Sequence, residues 1–158
     1  MVHLGLDQST NSPVVLLKER DGERVLPIWI GPAEASAIAM EMQGLRPPRP
    51  MTHDLLKSVI VQLGAVVRQI RISALKEKTY FAEVWLARED HVFQLDARPS
   101  DSIALALRVQ APIFTEDTLL EDGPDDTGVP PEDESAEAEK LRAWLEKMNP
   151  EDFGKFQP

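Results

Sequence analysis

The amino-acid sequence predicts an α+β fold: two pseudo-symmetric β-β-β-α units, a mixed or antiparallel sheet packed on apolar helices, and a C-terminal helix. Three observations predict it. Short apolar runs bounded by turn residues are followed by helix-length apolar stretches that open on proline. Pro32-Ala33-Glu34-Ala35-Ser36-Ala37-Ile38-Ala39 lies over Pro99-Ser100-Asp101-Ser102-Ile103-Ala104-Leu105-Ala106 at an offset of 67 residues, and the strands and turns before each also superpose. The 158 residues are 42% hydrophobic and 28% charged, which suits one globular domain with an appendage and excludes a chain disordered throughout.

Strands are expected at Val2–Leu6, Pro13–Leu17 and Val25–Ile30, with Asp21-Gly22 as the hairpin turn before the third. Pro27 has no N–H for a ladder, so its strand belongs at an edge or a bulge. Gly31-Pro32 opens a helix through Ala33 to Gln43, stopped by Gly44. Alanines and apolar residues nearly encircle that helix, which predicts its burial. After the stiff loop Arg46-Pro47-Pro48-Arg49-Pro50, a helix runs from about residue 53 to Gln62, with Gly64 beyond its end. Strands are expected again at Val66–Ala74, Thr79–Ala87 and Val92–Ala97, and a third helix at Ile103–Val109 after a Pro99-Ser100-Asp101-Ser102 start. Thr115-Glu116-Asp117-Thr118-Leu119-Leu120 echoes Thr52-His53-Asp54-Leu55-Leu56.

Residues 1–120 form the predicted domain, 121–134 an acidic flexible linker, and 135–158 a tail whose Ala138, Leu141, Trp144, Leu145 and Met148 make one apolar helical stripe. The formal net charge of −10 opposes bulk attraction of polyanions. It is unevenly spread: residues 1–120 carry 15 acids against 13 bases, residues 121–158 carry 12 against 4. A nearly neutral body can own a basic site, and the tail is expected to cover it and compete with polyanions for it. Cysteine is absent, which excludes disulfides, zinc-thiolate sites and thiol nucleophiles. The N-terminus has no signal-length apolar run and no 18 apolar residues follow one another, so the expected location is cytoplasmic, away from membrane.

Leu26-Pro27-Ile28-Trp29-Ile30-Gly31 with Glu34-Ala35, then Arg49-Pro50-Met51-Thr52-His53-Asp54-Leu55, then Ala97-Arg98-Pro99-Ser100-Asp101-Ser102 followed by Pro112-Ile113, resemble the bifunctional nuclease domain family. The resemblance spans about residues 2–120 and extends to the Asn149-Pro150-Glu151-Asp152-Phe153 tail. It implies an unusual, commonly self-associating α+β domain that hydrolyses RNA and DNA, so nucleic acid is the expected substrate and a homo-oligomer the expected assembly.

Phosphodiester hydrolysis needs a positioned water, charge stabilisation at the phosphoryl oxygens and help for the leaving oxygen. Glu34 and Asp101 hold equivalent first-turn positions and are candidate catalytic acids and ligands for Mg²⁺ or Mn²⁺. Acids there also complement a helix dipole, and the residues alone leave both readings open. His53 is a candidate general base, with a packed, hydrogen-bonded histidine as the alternative, while Thr52 and Asp54 read as helix caps. Arg49 and Arg98 are candidate phosphate ligands, Arg98 beside a helix N-terminus, with a salt bridge to Asp96 or Asp101 as its alternative. Arg46 is a further candidate contact to the phosphate backbone. Trp29, between Ile28 and Ile30, is expected in the core, with stacking on a base as the alternative. The rival function is a non-catalytic oligomeric binding or regulatory module in which these residues are caps and interface contacts.

Overall fold

Two antiparallel meanders carry three helices. The computed structural model describes residues 1–7 and 9–122. Strands β1 (Val2–Leu6), β2 (Pro13–Lys18) and β3 (Val25–Trp29) form a three-stranded sheet in that order, and helix α1 (Pro32–Met42) follows. Helix α2 (Thr52–Gln62) leads to β4 (Val66–Lys76), β5 (Thr79–Arg88) and β6 (His91–Ala97), then helix α3 (Pro99–Val109) and β7 (Ile113–Thr115). The second sheet has the order β6-β5-β4-β7, with β7 parallel to β4 and the other pairs antiparallel. The order β-β-β-α thus occurs twice, with α2 between the two runs.

Local chemistry accounts for the boundaries. Pro27 sits opposite Leu16 on β3, the edge of its sheet, where the missing N–H costs no ladder bond. Helices α1 and α2 end alike: Gly44 (φ +68°) and Gly64 (φ +70°) take the left-handed conformation that an L side chain disfavours. Their N–H groups donate to Glu41 and Val61, while those of Leu45 and Ala65 donate to Met40 and Ile60, so the last carbonyls are satisfied. Asp54 starts α2 by accepting the Met51 N–H at 2.9 Å. Thr52, expected to share the capping, is an exposed first helical residue. The echo at Thr115–Leu120 produces only a 3₁₀ turn, Asp117–Leu119, after which Glu121 bridges to Val25.

Leu26, Ile38, Ile70, Ile72, Ile103 and Leu105 are fully buried in one cluster that joins both sheets to α1 and α3. Each such side chain stabilises the fold by about 1.5–3 kcal/mol through burial. The expected burial of α1 holds for its middle, where Ala35, Ser36, Ala37, Ile38 and Ala39 are buried, while Pro32, Ala33 and Met42 at its ends are exposed. Trp29 is a correction: it is 53% exposed. It ends β3, beyond the four buried residues Val25–Ile28, and its indole N–H donates to Asp7 Oδ2 at 2.9 Å. Among the described residues no helix is long and apolar enough to cross a membrane. The expected linker beyond Asp122 and the tail stripe lie outside the described residues.

The helices are tied by Arg108, whose side chain is only 4% exposed. Its Nε donates to Asp54 Oδ1 on α2 at 2.7 Å, its Nη2 to the Ala37 carbonyl on α1 at 3.0 Å, and its Nη1 to the Ala104 carbonyl on its own helix at 2.9 Å. Asp54→Ala strands this guanidinium without a counter-charge, and we predict a loss of about 3–5 kcal/mol in urea denaturation. Leu55→Ala, at an adjacent but exposed position, is predicted to shift stability by at most about 0.5 kcal/mol.

Candidate active site

Four of the residues singled out by sequence meet at one place. Arg98, the residue before α3, lies between two carboxylates: its Nη1 is 2.7 Å from Glu34 Oε1 on α1 and its Nε 2.7 Å from Asp101 Oδ2 on α3. The other oxygen of Asp101 faces His53 Nε2 on α2 at 3.0 Å. Three helices therefore deliver one linked group, Glu34, Arg98, Asp101 and His53.

Each position has a local cause. Glu34 and Asp101 are third residues of helices that open on proline, so both carboxylates stand in a first turn near the helix N-terminus. Gly31 leaves space for Glu34, since a Cβ there would lie 2.5 Å from its Oε2. His53 is placed by its neighbour Asp54, which is held by the Met51 N–H and Arg108. The buried guanidinium of α3 thus positions the histidine of α2.

The group is graded in exposure. Side-chain exposure falls from 65% at Arg98 to 33% at Asp101, 19% at Glu34 and 11% at His53. Burial pushes the Asp101 carboxyl upward, but hydrogen bonds from Arg98 and His53 outweigh it and hold the group below the ordinary carboxylate value. Asp101, then Glu34, raise the Arg98 guanidinium above its usual value. Arg98 is therefore a fixed cation with a solvent-facing side, beside the backbone N–H groups that open α3.

Other candidates fall elsewhere. Arg49 is exposed on the proline loop and makes no ion pair among the described residues, and Arg46 is engaged by Glu41 through contacts of 2.6 and 3.1 Å. The alternative partner suggested for Arg98, Asp96, takes no part; Asp101 does, joined by Glu34. A divalent cation held by Glu34 and Asp101 would have to replace the guanidinium between them. Among the described residues no three His, Asp or Glu side chains are arranged to hold a metal ion. The donors as placed do not fit one.

Sequence reasoning missed Arg108 and Asp7. A lone cation inside the apolar run Ile103–Val109 was the available signal for Arg108. For Asp7, the signal was Asp7-Gln8-Ser9-Thr10, an Asx-turn pattern in which Ser9 and Thr10 both donate to the carboxylate that holds Trp29.

The bifunctional nuclease domain model matches residues 15–126. The chain belongs to the bifunctional nuclease domain family. An uncharacterized protein of Mycobacterium tuberculosis is 42% identical over 164 residues, covering 97% of this chain and 95% of that protein. Bifunctional nuclease 1 of Oryza sativa subsp. japonica is 28% identical over 110 residues, 68% of this chain and 33% of the rice protein. Bifunctional nuclease 2 of Arabidopsis thaliana is 29% identical over 103 residues, 63% of this chain and 31% of that protein. The match thus extends over about a third of each plant nuclease, and every member of the Arg98 group lies within the matched domain of this family member.

Asp101 also sets a pH dependence. Because its folded-state pKa is lowered, its stabilising contribution is complete above the ordinary carboxylate value near 3.8 and is lost as pH falls through the folded value. Asp101→Asn is predicted to be less stable than wild type at pH 7, with the two denaturation midpoints converging as pH drops below about 4. A constant difference down to pH 2 would show that the carboxylate charge is not the cause.

Proposed function

We propose that this chain hydrolyses phosphodiester bonds in RNA and DNA at the Arg98 group. The observation that carries the reading is one linked chain, in which Arg98, 65% exposed, joins Glu34 to Asp101 and Asp101 in turn joins His53, with one of these three partners from each helix. Arg98 is the phosphate ligand: its outward N–H groups and the α3 N-terminus take the phosphoryl oxygens, where charge grows in the transition state. Asp101 orients His53 by accepting from Nε2–H, which leaves Nδ1 as the basic atom. Nδ1 takes a proton from water as the water oxygen attacks phosphorus. The P–O bond to the leaving nucleoside then breaks and its oxygen takes a proton from solvent water, giving a phosphomonoester and an alcohol, and His53 returns its proton to solvent. Glu34 is the positioning residue for the guanidinium, and Arg49 is a more distant contact to the phosphate backbone.

Trp29 supports a single-stranded substrate. Its half-exposed indole is pinned by Asp7, and it lies two residues before Gly31, beside which the Glu34 carboxylate rests. Two residues span at most about 7 Å, which keeps Trp29 on the Glu34 side of the group, and its exposed indole is suited to stack on a base. We predict that Trp29→Ala raises KM for an oligonucleotide while leaving kcat little changed, the effect of about 1–3 kcal/mol of lost stacking.

One observation favours a second reading, a non-catalytic module: both carboxylates are already neutralised by Arg98, as in a strap that fastens α1 to α3. Cleavage assays on single-stranded RNA and DNA with Mg²⁺, Mn²⁺ or chelator separate the two. Hydrolysis predicts kcat losses of about 10²–10³-fold for Arg98→Ala and 10²–10⁴-fold for His53→Ala in folded protein. Activity that is absent under every condition, or equal in wild type and both variants, supports the strap.

A further inference from the structure

The four-stranded sheet has one unguarded edge. Natural edge strands are protected by shortness, proline, bulges, lysines or cover. Among the described strands, β3 has Pro27 and the bridge from Val25 to Glu121, β7 has three residues, and β1 has Leu4 and Gly5 buried. Strand β6 has none of these, and its one carboxylate, Asp96, stands next to its last residue. It is seven residues long, lacks Pro, Gly and Lys, pairs with β5 without a bulge, and exposes every residue from His91 to Asp96. Val92 is 63% exposed, and Phe93 and Leu95 are 47% exposed each.

The side chains of β6 are matched to the same strand run in reverse. Phe93 and Leu95 lie opposite Leu86 and Val84 of β5, on the face that holds the core, and His91 stacks on Phe93. We propose that β6 is a homodimer interface: two copies pair antiparallel through β6 about a twofold axis at Gln94, perpendicular to the sheet. Such an axis keeps each face of one sheet continuous with the same face of the other. In this register all seven residues are paired, Phe93 packs on the partner's Leu95 and Leu95 on the partner's Phe93, and Asp96 faces Val92. An axis at Phe93 would set Asp96 against Asp90, two like charges, and an axis at Leu95 would pair only residues 93–97 within the strands. The tail beyond residue 122 is a poor strand donor, being rich in Pro, Gly, Asp and Glu.

The dimer places one continuous sheet of eight strands across both copies, within the usual range for open sheets. It also reaches the candidate active site. Residue 97 pairs with the partner's His91, so the partner's turn runs alongside Arg98, the next residue in the chain.

Because the chain has no cysteine, a single introduced thiol reads the register. Cross-strand pairs stand about 4.5–5.5 Å apart at Cα, within disulfide range. Oxidised full-length Gln94→Cys is expected to run as a disulfide-linked dimer, whereas Val92→Cys, which faces residue 96, is not. Wild type is expected to show twice the 17.7 kDa chain mass by light scattering. A Phe93→Glu, Leu95→Glu variant, changed only at exposed positions, should become monomeric with its circular dichroism unchanged. A monomeric wild type, equal cross-linking at 92 and 94, or an oligomer that survives the double substitution with Gln94→Cys uncross-linked would each overturn the interface. If the full chain is monomeric and truncation after Asp122 makes it dimeric, the tail covers β6 and the proposal is likewise refuted.

Discussion

A single buried guanidinium sets the arrangement of the helices. The Arg108 guanidinium is removed from water, so its donors must find acceptors or the fold loses several kcal/mol. They find them on three helices: a carbonyl of α1, a carbonyl of α3 and the carboxylate of Asp54 on α2. Lys57 adds a further tie from α2 to the Arg108 carbonyl at 2.8 Å. Burial pushes Asp54 upward, and the Met51 N–H and Arg108 more than reverse it, keeping the carboxyl ionised. The pair is a geometric constraint as much as a source of stability, because it fixes α2 over α3 where apolar packing alone would permit sliding.

The candidate active site inherits that constraint. His53 adjoins Asp54, and its bond to Asp101 depends on where α2 starts. Glu34 and Asp101 arrive by a different route, the shared proline-initiated first turn of α1 and α3. Two independent devices thus deliver side chains to Arg98, one from buried electrostatics and one from helix-start chemistry. Three helices, each eleven residues long, carry Glu34, His53 and Asp101, and Arg98 is held at the start of the third.

Much of this was legible in the sequence. Strand and helix positions followed from apolar runs, glycine stops and proline starts, and the boundaries of β3, α1, α2 and α3 differ by a few residues at most. The equivalence of Glu34 and Asp101 was visible in the repeat. Their union through Arg98 was not, because pairing between helices depends on tertiary placement that the Arg108 contacts determine. Trp29 was misplaced for a related reason: neighbouring isoleucines mark a strand as buried without telling where its cover ends. The net charge of −10 proved a poor guide to the body, since the described cluster presents an exposed arginine while most of the acidity lies after residue 120.

On the proposed function, a nucleic-acid phosphate arrives at the guanidinium held between Glu34 and Asp101. The most direct measurement is a nuclear magnetic resonance titration of full-length protein with a non-hydrolysable phosphorothioate oligonucleotide, following the Arg98 Nε–H and the His53 ring. These two signals are expected to move first and saturate together, and inorganic phosphate to move Arg98 in the same direction. Binding that shifts residues elsewhere while Arg98 and His53 stay fixed would contradict it.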